Sequence, residues 1–492
     1  MGTEIEKTQF SNRDYIEFSH RLSEQLEQLK TQLNSPLFGT DSLKIGAELE
    51  MYLVNSNGKA SNKNQQLLHA LRDEQYQPEL NQYNIELNLS PVDINNAPFS
   101  TLLQEIQSKT KRLEGIARLQ DVNIVPIGIL PTLAEADLDG SNMTETKRYR
   151  CLAEHLYQAR GEDFKINING EQSLTKNLKD ICAEGANTSF QVHLMVPKEQ
   201  LESTFNAAML TAPLVVAACA NSPIFLGKSL WNETRIALFK QSLDVRLEND
   251  TQWQQPTRVN FGHGWIRNSI WEYFAEAVAL YPPLLPYLSE RFDSQNDIPE
   301  LKELLLHVGT IWPWHRPVYC ASGNGHVRIE YRTLPTGPTS LDMVANAAFA
   351  IGLSVGLNGR INELISRMPF KYAEYNFYRA AQSGLSANIL WPCLVTGKLQ
   401  EQPIEGIIKR YITTAKEGLR KLNIPTAEIE RFLSIIEHRI ETNTTGATWQ
   451  KQTLRYLREN NDNNTACQKL LALYLENIRT CKPVSTWSKP WL

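Results

Sequence analysis

The sequence predicts an α+β fold in which helices pack on one side of an antiparallel sheet. Four short segments alternate apolar with polar residues, which is the pattern of strands that bury one face only. Longer segments between and after them repeat apolar residues at helical spacing. Strands with a single apolar face favour an antiparallel sheet, because a parallel sheet is usually buried on both faces.

These two periodicities predict the elements in order along the chain. Ser11, followed by Asp14 in the position of a capping partner, predicts the start of an amphipathic helix that reaches Leu33. Alternating strands are predicted at residues 44–54, 83–91, 189–196 and 326–334. A further strand is predicted at residues 122–131, and helices at residues 99–119, 144–160, 205–220 and through most of the chain after residue 341.

Composition excludes several classes of protein. The 492 residues carry 50 Lys and Arg against 54 Asp and Glu, a formal charge of −4, which argues against binding to nucleic acid or an anionic membrane. Seven cysteines without a CxxC pair argue against a disulfide framework or a Cys-rich zinc site, and they predict a reducing, cytoplasmic location. The apolar stretches at residues 207–226 and 343–357 are interrupted or short, so we expect buried helices there and no membrane span.

The polar faces of the four strands carry residues that are unusual for a solvated sheet. Residues two apart on a strand point to the same face. The pairs that share a face are Glu48 with Glu50, Glu86 with Asn88, Gln191 with His193, and Glu330 with Arg332. Each pair alone is compatible with a face turned to water, but carboxylates, amides, an imidazole and an arginine together favour a functional site.

The glutamates on these strands point to a metal and a nucleotide. Glu48 and Glu50 repel each other unless a cation lies close to both. Mg²⁺ meets this need, since it binds one or two carboxylates together with water and nucleotide phosphates. Arg332 beside Glu330 suits a phosphate contact next to a metal ligand. The pattern therefore predicts chemistry with Mg²⁺ and ATP on an open sheet.

Other nucleotide and hydrolase motifs are missing from the sequence. Gly227-Lys228-Ser229 has the ending of a P-loop, but Ser222 stands where that motif needs its first glycine. Gly323-Asn324-Gly325 lacks the third glycine of a dinucleotide-binding turn and precedes a strand instead of joining a strand to a helix. The sequence has no HExxH or GxSxG.

Six segments carry the strongest family signal. They read GAELEMYLV, IELNLSPVDI, TSFQVHLMV, ANSPIFLGKSLWNETR, VRIEYRTLP and YNFYRAAQSGL. In this order they resemble the second glutamate–cysteine ligase family, the carboxylate–amine ligases, and the last one looks like the NxxRAAxxGL stretch of that family. The resemblance runs over residues 44–391 and is closest to a branch that carries IWPWHRP and GPTSLDMVANAAF.

The resemblance implies a glutamine-synthetase-like fold, a curved antiparallel sheet with an ATP- and metal-binding concave face and helices behind it. It also implies a reaction in which ATP converts a carboxylate to an acyl phosphate, which an amine then attacks to form an amide. On this basis we expect an N-terminal helical segment at residues 1–40, a catalytic domain at 41–400 and a helical C-terminal region at 401–492.

The same resemblance assigns roles to particular residues. Its implied metal ligands are Glu48, Glu50, Glu86 and Glu330. Arg332 would contact the transferring phosphoryl group, and Arg235 would pair with the α-carboxylate of the acid substrate. His193 would be either the general base or a hydrogen-bonding partner of metal or phosphate, while Gln191 and Arg379 would be further cofactor contacts.

Three functions remain open at this stage. The first is the ligation of glutamate and cysteine to γ-glutamylcysteine, as in glutathione biosynthesis. The second is a γ-glutamyl ligase for a different amine. The third is a non-catalytic relative that binds a nucleotide or an amino acid and regulates a partner. The expected ligands are small amino-acid substrates, and a homodimer is one open oligomeric state.

Overall fold

Helices make up most of the regular secondary structure in the computed structural model. The structure describes residues 6–247, 252–289, 298–393 and 396–491. Its α-helices are α1 Asn12–Asn34, α2 Asn64–Leu71, α3 Pro98–Arg118, α4 Lys147–Arg160, α5 Leu201–Cys219, α6 Arg235–Ser242, α7 Trp271–Leu280, α8 Lys302–Val308, α9 Ser340–Leu357, α10 Ile361–Ile365, α11 Phe370–Ser383, α12 Ile404–Lys421, α13 Thr426–Glu441, α14 Gly446–Arg458 and α15 Asn463–Arg479.

The strands are short apart from the first. They are β1 Lys44–Val54, β2 Tyr76–Pro78, β3 Asn84–Asn88, β4 Val92–Asp93, β5 Asn123–Val125, β6 Phe164–Asn169, β7 Ser173–Leu178, β8 Phe190–Met195, β9 Ile224–Phe225, β10 Lys228–Ser229, β11 Val259–Asn260, β12 Trp312–Pro313, β13 His315–Cys320, β14 His326–Tyr331, β15 Asn388–Pro392 and β16 Leu399–Pro403.

One eight-stranded antiparallel sheet forms the centre of the protein. Its strand order is β13-β14-β8-β1-β3-β2, and β4 and β5 pair with the two ends of β1. The four predicted alternating strands correspond to β1, β3, β8 and β14. The predictions of an α+β fold and of an antiparallel sheet are confirmed.

The register of the sheet brings the polar positions together. Glu48 of β1 lies opposite Gln191 of β8 and Asn88 of β3, and Glu50 lies opposite Glu86. Glu330 of β14 lies opposite both His193 of β8 and Arg316 of β13. Directly opposed residues of antiparallel strands share a face. The polar residues of four strands therefore lie on one side, which we call the polar face.

The two long apolar stretches, for which the sequence predicts buried helices, lie mainly in α5 and α9. By length and composition, Lys198–Cys219 and Ser340–Ile365 could each cross a membrane, yet 89% and 83% of their most apolar windows are buried inside the protein. Nearly every residue of α5 and α9 is buried. Both are core helices, as predicted from the interruptions of the first stretch and the shortness of the second.

The N-terminal helix begins where its capping residues predicted. The Asp14 backbone N–H donates to Ser11 Oγ, and the Ser11 backbone N–H donates to Asp14 Oδ2. This reciprocal capping box satisfies two of the donors that a helix start leaves unpaired. The helix then buries Leu22, Leu26 and Leu29 along one side, at the predicted spacing.

Several elements differ from the sequence predictions. The strand expected at residues 122–131 covers only Asn123–Val125, because Pro126 follows it and cannot donate to a ladder. The hairpins β6–β7 and β15–β16 and the edge strand β13 were not predicted. β6 does alternate, with Phe164, Ile166 and Ile168 buried between exposed polar residues, so a periodic signal was present there and was missed. The strands β7, β13, β15 and β16 alternate less cleanly in sequence, so periodicity gives a weak signal for them.

The C-terminal region is tied to the core by a buried ion pair. Arg439 of α13 is 1% exposed, and its Nη2 lies 2.8 Å from Asp342 Oδ1 at the start of α9. Its Nη1 donates to Asn346 Oδ1 at 2.6 Å and to the Ala218 carbonyl at 3.2 Å. One guanidinium therefore holds α5, α9 and α13 together.

Replacing Arg439 should destabilise the fold strongly. The change Arg439→Met would leave the Asp342 carboxylate buried without a cation, and we expect a loss of about 3–5 kcal/mol in the free energy of unfolding. The matched control is Arg420→Met on α12, where an exposed guanidinium lies 3.9 Å from Glu430, and we expect a loss below about 1 kcal/mol. Urea unfolding followed by circular dichroism measures both. Equal losses for the two variants would contradict this account.

Candidate active site

The polar face gathers its acidic residues into two clusters. The first cluster is Glu48, His193 and Glu330, and the second cluster is Glu50, Glu79 and Glu86. Within each cluster, one potential ligand atom from every member lies within 4.8 Å of the others. Four of the five glutamates were predicted from strand spacing, while Glu79 comes from the segment between β2 and β3.

Arginines balance the charge of the first cluster. Arg316 Nε and Nη2 donate to the two oxygens of Glu330 at 2.8 and 3.0 Å, and Arg332 Nη1 lies 3.1 Å from Glu330 Oε2. Although burial raises the pKa of Glu330, the two guanidinium groups hold it well below its usual range. Both carboxylate oxygens of Glu330 are therefore already paired with guanidinium groups.

His193 connects the two carboxylates of the first cluster. Its Nε2 lies 3.1 Å from Glu48 Oε1 and 3.9 Å from Glu330 Oε1. Arg328 Nε donates to Nδ1 at 3.0 Å, and since a guanidinium can only donate, Nδ1 accepts and a ring proton is directed from Nε2 toward the carboxylates. Burial raises the pKa of Glu48, but the opposing effect of His193 is larger and lowers the pKa to about 2.

The second cluster has no such balance. Glu50 accepts hydrogen bonds from the Ser189 backbone N–H at 2.6 Å and from Gln191 Nε2 at 2.9 Å, but these are neutral donors. Burial, Glu48 and Glu50 raise the pKa of Glu86 to about 7. Burial together with Glu86 raises the pKa of Glu79 well above its usual value. Within the described part of the chain, none of these three carboxylates forms an ion pair.

This cluster fits a divalent cation by the chemistry of its donors. Three carboxylates offer hard oxygen ligands, which Mg²⁺ prefers. Their raised pKa values show that the negative charge lacks compensation in the protein alone. A bound cation would replace the shared protons and allow all three carboxylates to ionise.

A small polar pocket, with an internal volume of about 30 Å³, opens beside the second cluster. Its charged and aromatic lining consists of Glu50, Glu79, Glu184, Arg235, Arg332, Phe239 and Trp314. Burial and the nearby Glu50 raise the pKa of Glu184 to about 8, and Arg332 opposes this shift. Acidic and basic groups thus face one another across a small space, which suits a ligand with both charges.

Three side chains of this pocket that are at most 2% exposed have polar atoms without a partner among the described residues. They are Arg235 Nε, Trp314 Nε1 and both polar atoms of the Asn84 amide. These residues are only 1–2% exposed, so water does not readily replace the missing partners. Buried donors without partners are costly, and their collection around one pocket indicates that a ligand completes them.

Arg235 is held rigidly at the edge of this pocket. It begins α6, and its Nη1 lies 3.0 Å from the buried Glu233 Oε1. Gly128 allows its close approach, since a Cβ at that glycine would lie 3.1 Å from Arg235 Cδ. The guanidinium is thereby fixed with its Nε left free for a ligand.

Most of the predicted site residues come together in the structure. The polar face and its pocket unite Glu48, Glu50, Glu86, Gln191, His193, Arg235, Glu330 and Arg332. Arg332 also donates from Nη1 to Gln191 Oε1. Arg379 Nη1 donates to Gln382 Oε1 at 3.2 Å on its own helix, and no hydrogen bond or ion pair among the described residues joins it to the polar face, so its role stays a prediction.

Sequence reasoning missed five residues that shape the site. They are Glu79, Glu184, Glu233, Trp314 and Arg316. A signal existed for Arg316, because a Gly-containing stretch at residues 321–325 precedes β14 and could have indicated a hairpin partner. Glu79 and Glu184 lie outside regular strands, so no periodicity could reveal their direction.

Comparison with known families gives the class of protein. The model for glutamate-cysteine ligase family 2 matches residues 44–469, which is most of the chain. The chain belongs to this family, and its membership indicates a carboxylate–amine ligase. The match extends beyond residue 391, where the sequence resemblance ended, and includes much of the C-terminal helical region.

One solved structure agrees with the fold at a TM-score above 0.5. The chain resembles a glutamate–cysteine ligase from Francisella tularensis in complex with AMP, with a TM-score of 0.57, 11% identity and 90% of each chain covered. Weaker similarity links it to a bifunctional glutathione synthetase from Pasteurella multocida, at a TM-score of 0.44 and 11% identity, over 92% of this chain and 55% of that one. A complex of the ubiquitin-like protein Pup and its ligase PafA matches at a TM-score of 0.38 and 9% identity, over 87% and 72%. No curated protein sequence matches the chain.

The uncompensated charge of the second cluster predicts a pH-dependent stability. A folded pKa of about 7 for Glu86, above the ordinary 4.5, means that stability is greatest below pH 4.5 and falls as the pH rises to about 7. Glu86→Gln removes this charge, so we expect it to raise the free energy of unfolding at pH 8 without divalent metal by about 1–3 kcal/mol.

Urea titrations at pH 5 and pH 8 in EDTA measure this effect. The control is Glu74→Gln, an exposed glutamate outside the sheet, and its profile should follow that of the wild type. Added Mg²⁺ should stabilise the wild type at pH 8 more than Glu86→Gln. Parallel pH profiles for wild type and Glu86→Gln would refute an uncompensated cluster.

Proposed function

We propose that the protein is an ATP- and Mg²⁺-dependent ligase that joins the γ-carboxylate of glutamate to an amine through an acyl phosphate. The observation that carries this proposal is the unbalanced second cluster beside buried arginines on the polar face. Family membership supports the reaction class. The AMP found in the similar Francisella ligase supports a nucleotide as the second ligand.

The carboxylates and arginines of the polar face have charges that suit binding of Mg²⁺ and the phosphates of ATP. The second cluster would hold Mg²⁺, which when bound offsets the negative charge of the phosphates. Arg332 lines the polar pocket together with Glu50 and Glu79, where it would orient the transferring phosphoryl group, while Arg316 pairs with Glu330 of the first cluster. Glu330 fixes both arginines, so its predicted role as a metal ligand would require one of these pairs to open.

The polar pocket would hold the acid substrate. Arg235 Nε and Trp314 Nε1 are donors without protein partners, and they would bind the α-carboxylate of glutamate. Glu184 on the same pocket would accept from the α-ammonium group. The γ-carboxylate would then point toward the second cluster, where attack on the γ-phosphorus breaks its bond to ADP.

The second step needs an amine near the acyl phosphate. Its nitrogen attacks the acyl carbon, phosphate leaves, and the nitrogen loses a proton. His193 receives a hydrogen bond at Nδ1 from Arg328, so its ring proton is on Nε2, which lies 3.1 Å from Glu48 Oε1. This arrangement favours the role of hydrogen-bonding partner for His193 over that of general base.

Phosphate release by the full chain tests the proposal. With Mg²⁺, ATP and glutamate, release should depend on one member of an amine panel that includes cysteine, and mass spectrometry should detect the matching amide. Glu50→Gln should lower this turnover by at least about 100-fold, since it removes a charge from the second cluster. The surface change Glu74→Gln should leave it unaltered.

Two outcomes would count against the ligase. Nucleotide binding without turnover for any amine would favour the regulatory relative, and failure to bind nucleotide would reject the proposal outright. Cysteine is the reference amine, and a different amine is the alternative, which the cavity beside β13 favours. A cytoplasmic location and a homodimer stay predictions from the sequence.

A further inference from the structure

A second, larger cavity lies beside the sheet edge formed by β13. Its internal volume is about 640 Å³, which lies within the roughly 300–1,000 Å³ typical of small-molecule sites. Helices α5 and α7 and the segment at residues 261–267 surround it. Its aromatic lining consists of Phe205, Phe261, Trp265, Trp271 and Tyr273. Such a wall binds an apolar body or a cation.

The charges of this cavity favour a cation. Its acidic and basic lining residues are Arg267, Glu272 and Glu276, one positive against two negative. Arg267 Nε lies 3.2 Å from Glu272 Oε2, so this pair is satisfied. Glu276 is half-buried and forms no hydrogen bond or ion pair with the described residues. One carboxylate is therefore left over for a ligand.

The remaining polar groups of the cavity are neutral and have unused hydrogen-bonding atoms. Burial lowers the pKa of His315 to about 3, so its imidazole is uncharged, and burial also lowers the pKa of His263. His315 is 2% exposed, and its Nδ1 has no partner among the described residues. The buried hydroxyl of Tyr273 is likewise without a partner. These atoms indicate that a polar ligand enters an otherwise aromatic space.

The cavity adjoins the polar pocket. Pro313 lines the cavity and the next residue, Trp314, lines the pocket, so one short stretch of chain separates the two. Phe377 connects them through ring contacts, with centroids 4.9 Å from Phe261 and 5.9 Å from Trp314. A ligand in the cavity is thus a neighbour of the acid substrate.

We propose that this cavity is the acceptor site and that it selects a primary amine with an aromatic or comparably large apolar body. The acceptor role rests on the proposed function. Glu276 would pair with the ammonium group, and the rings of Trp265, Trp271 and Tyr273 would enclose the body. A nucleotide is disfavoured here, because its phosphates would meet two carboxylates and a single, already paired arginine.

Calorimetric titration of the full chain tests the binding part without any turnover. The probe is 2-phenylethylamine, and 2-phenylethanol serves as its uncharged counterpart. The amine should bind at least about tenfold more tightly than the alcohol, because a carboxylate and aromatic faces both attract a cation. Glu276→Gln should abolish this preference, and Glu441→Gln, an exposed glutamate on α13, should retain it.

Three results would overturn the binding proposal. They are equal affinity for the amine and the alcohol, a preference that survives Glu276→Gln, and competitive displacement of the amine by ATP. The last result would assign the cavity to the nucleotide.

Turnover separates this proposal from the ligase itself. With Mg²⁺, ATP and glutamate, the enzyme should release phosphate more efficiently when 2-phenylethylamine is the acceptor than when cysteine or ethylamine is. Glu276→Gln should raise the KM for 2-phenylethylamine more than it changes kcat. If another amine supports release and 2-phenylethylamine does not, the acceptor role is wrong while the ligase stands. If no amine supports release, the ligase fails and the acceptor role fails with it.

Discussion

Negative charge buried on one face of an antiparallel sheet is the constraint on which the rest of the site depends. Buried carboxylates are costly unless a cation or several donors compensate them. Arg316 and Arg332 compensate the charge of Glu330, whereas no arginine or lysine among the described residues pairs with Glu79 or Glu86. The difference between the two clusters is what marks the second one as the place for an external cation.

The surrounding fold maintains that arrangement. The continuous register of β3, β1, β8, β14 and β13 fixes which side chains oppose each other, since a slip of one residue would turn each strand's polar residues to the other face. The C-terminal helices contribute as well: Tyr474 donates to the Pro126 carbonyl, and Asn221 donates to Tyr474 Oη and to the Thr336 carbonyl. Thr336 in turn donates to the Glu50 carbonyl at 2.8 Å. A chain of hydrogen bonds thus runs from the last helices to the site, and the family match likewise includes part of this region.

Sequence patterns predicted the centre of the site well and its periphery poorly. Period-two spacing was enough for Glu48, Glu50, His193 and Glu330, because a strand leaves a side chain only two directions. It could not reveal Glu79 or Glu184, whose directions depend on loops, or Arg316, whose strand is interrupted by a proline and lacks clean alternation. Family likeness supplied Arg235, which lines the pocket, whereas the role of Arg379 stays a prediction, since its one described hydrogen bond goes to Gln382 on its own helix. Tertiary placement, not composition, also determined which glutamates share a cluster.

Binding of Mn²⁺, a spectroscopically visible substitute for Mg²⁺, tests the central claim most directly. Electron paramagnetic resonance would count the bound ions in the wild type and in the variant Glu79→Gln. This variant changes a member of the second cluster that lies between two strands and not within one. The surface variant Glu74→Gln is the control. The account predicts that Glu79→Gln weakens Mn²⁺ binding by at least about tenfold while the control binds as the wild type does. Equal Mn²⁺ affinity in all three proteins would contradict the assignment of the second cluster as the metal site.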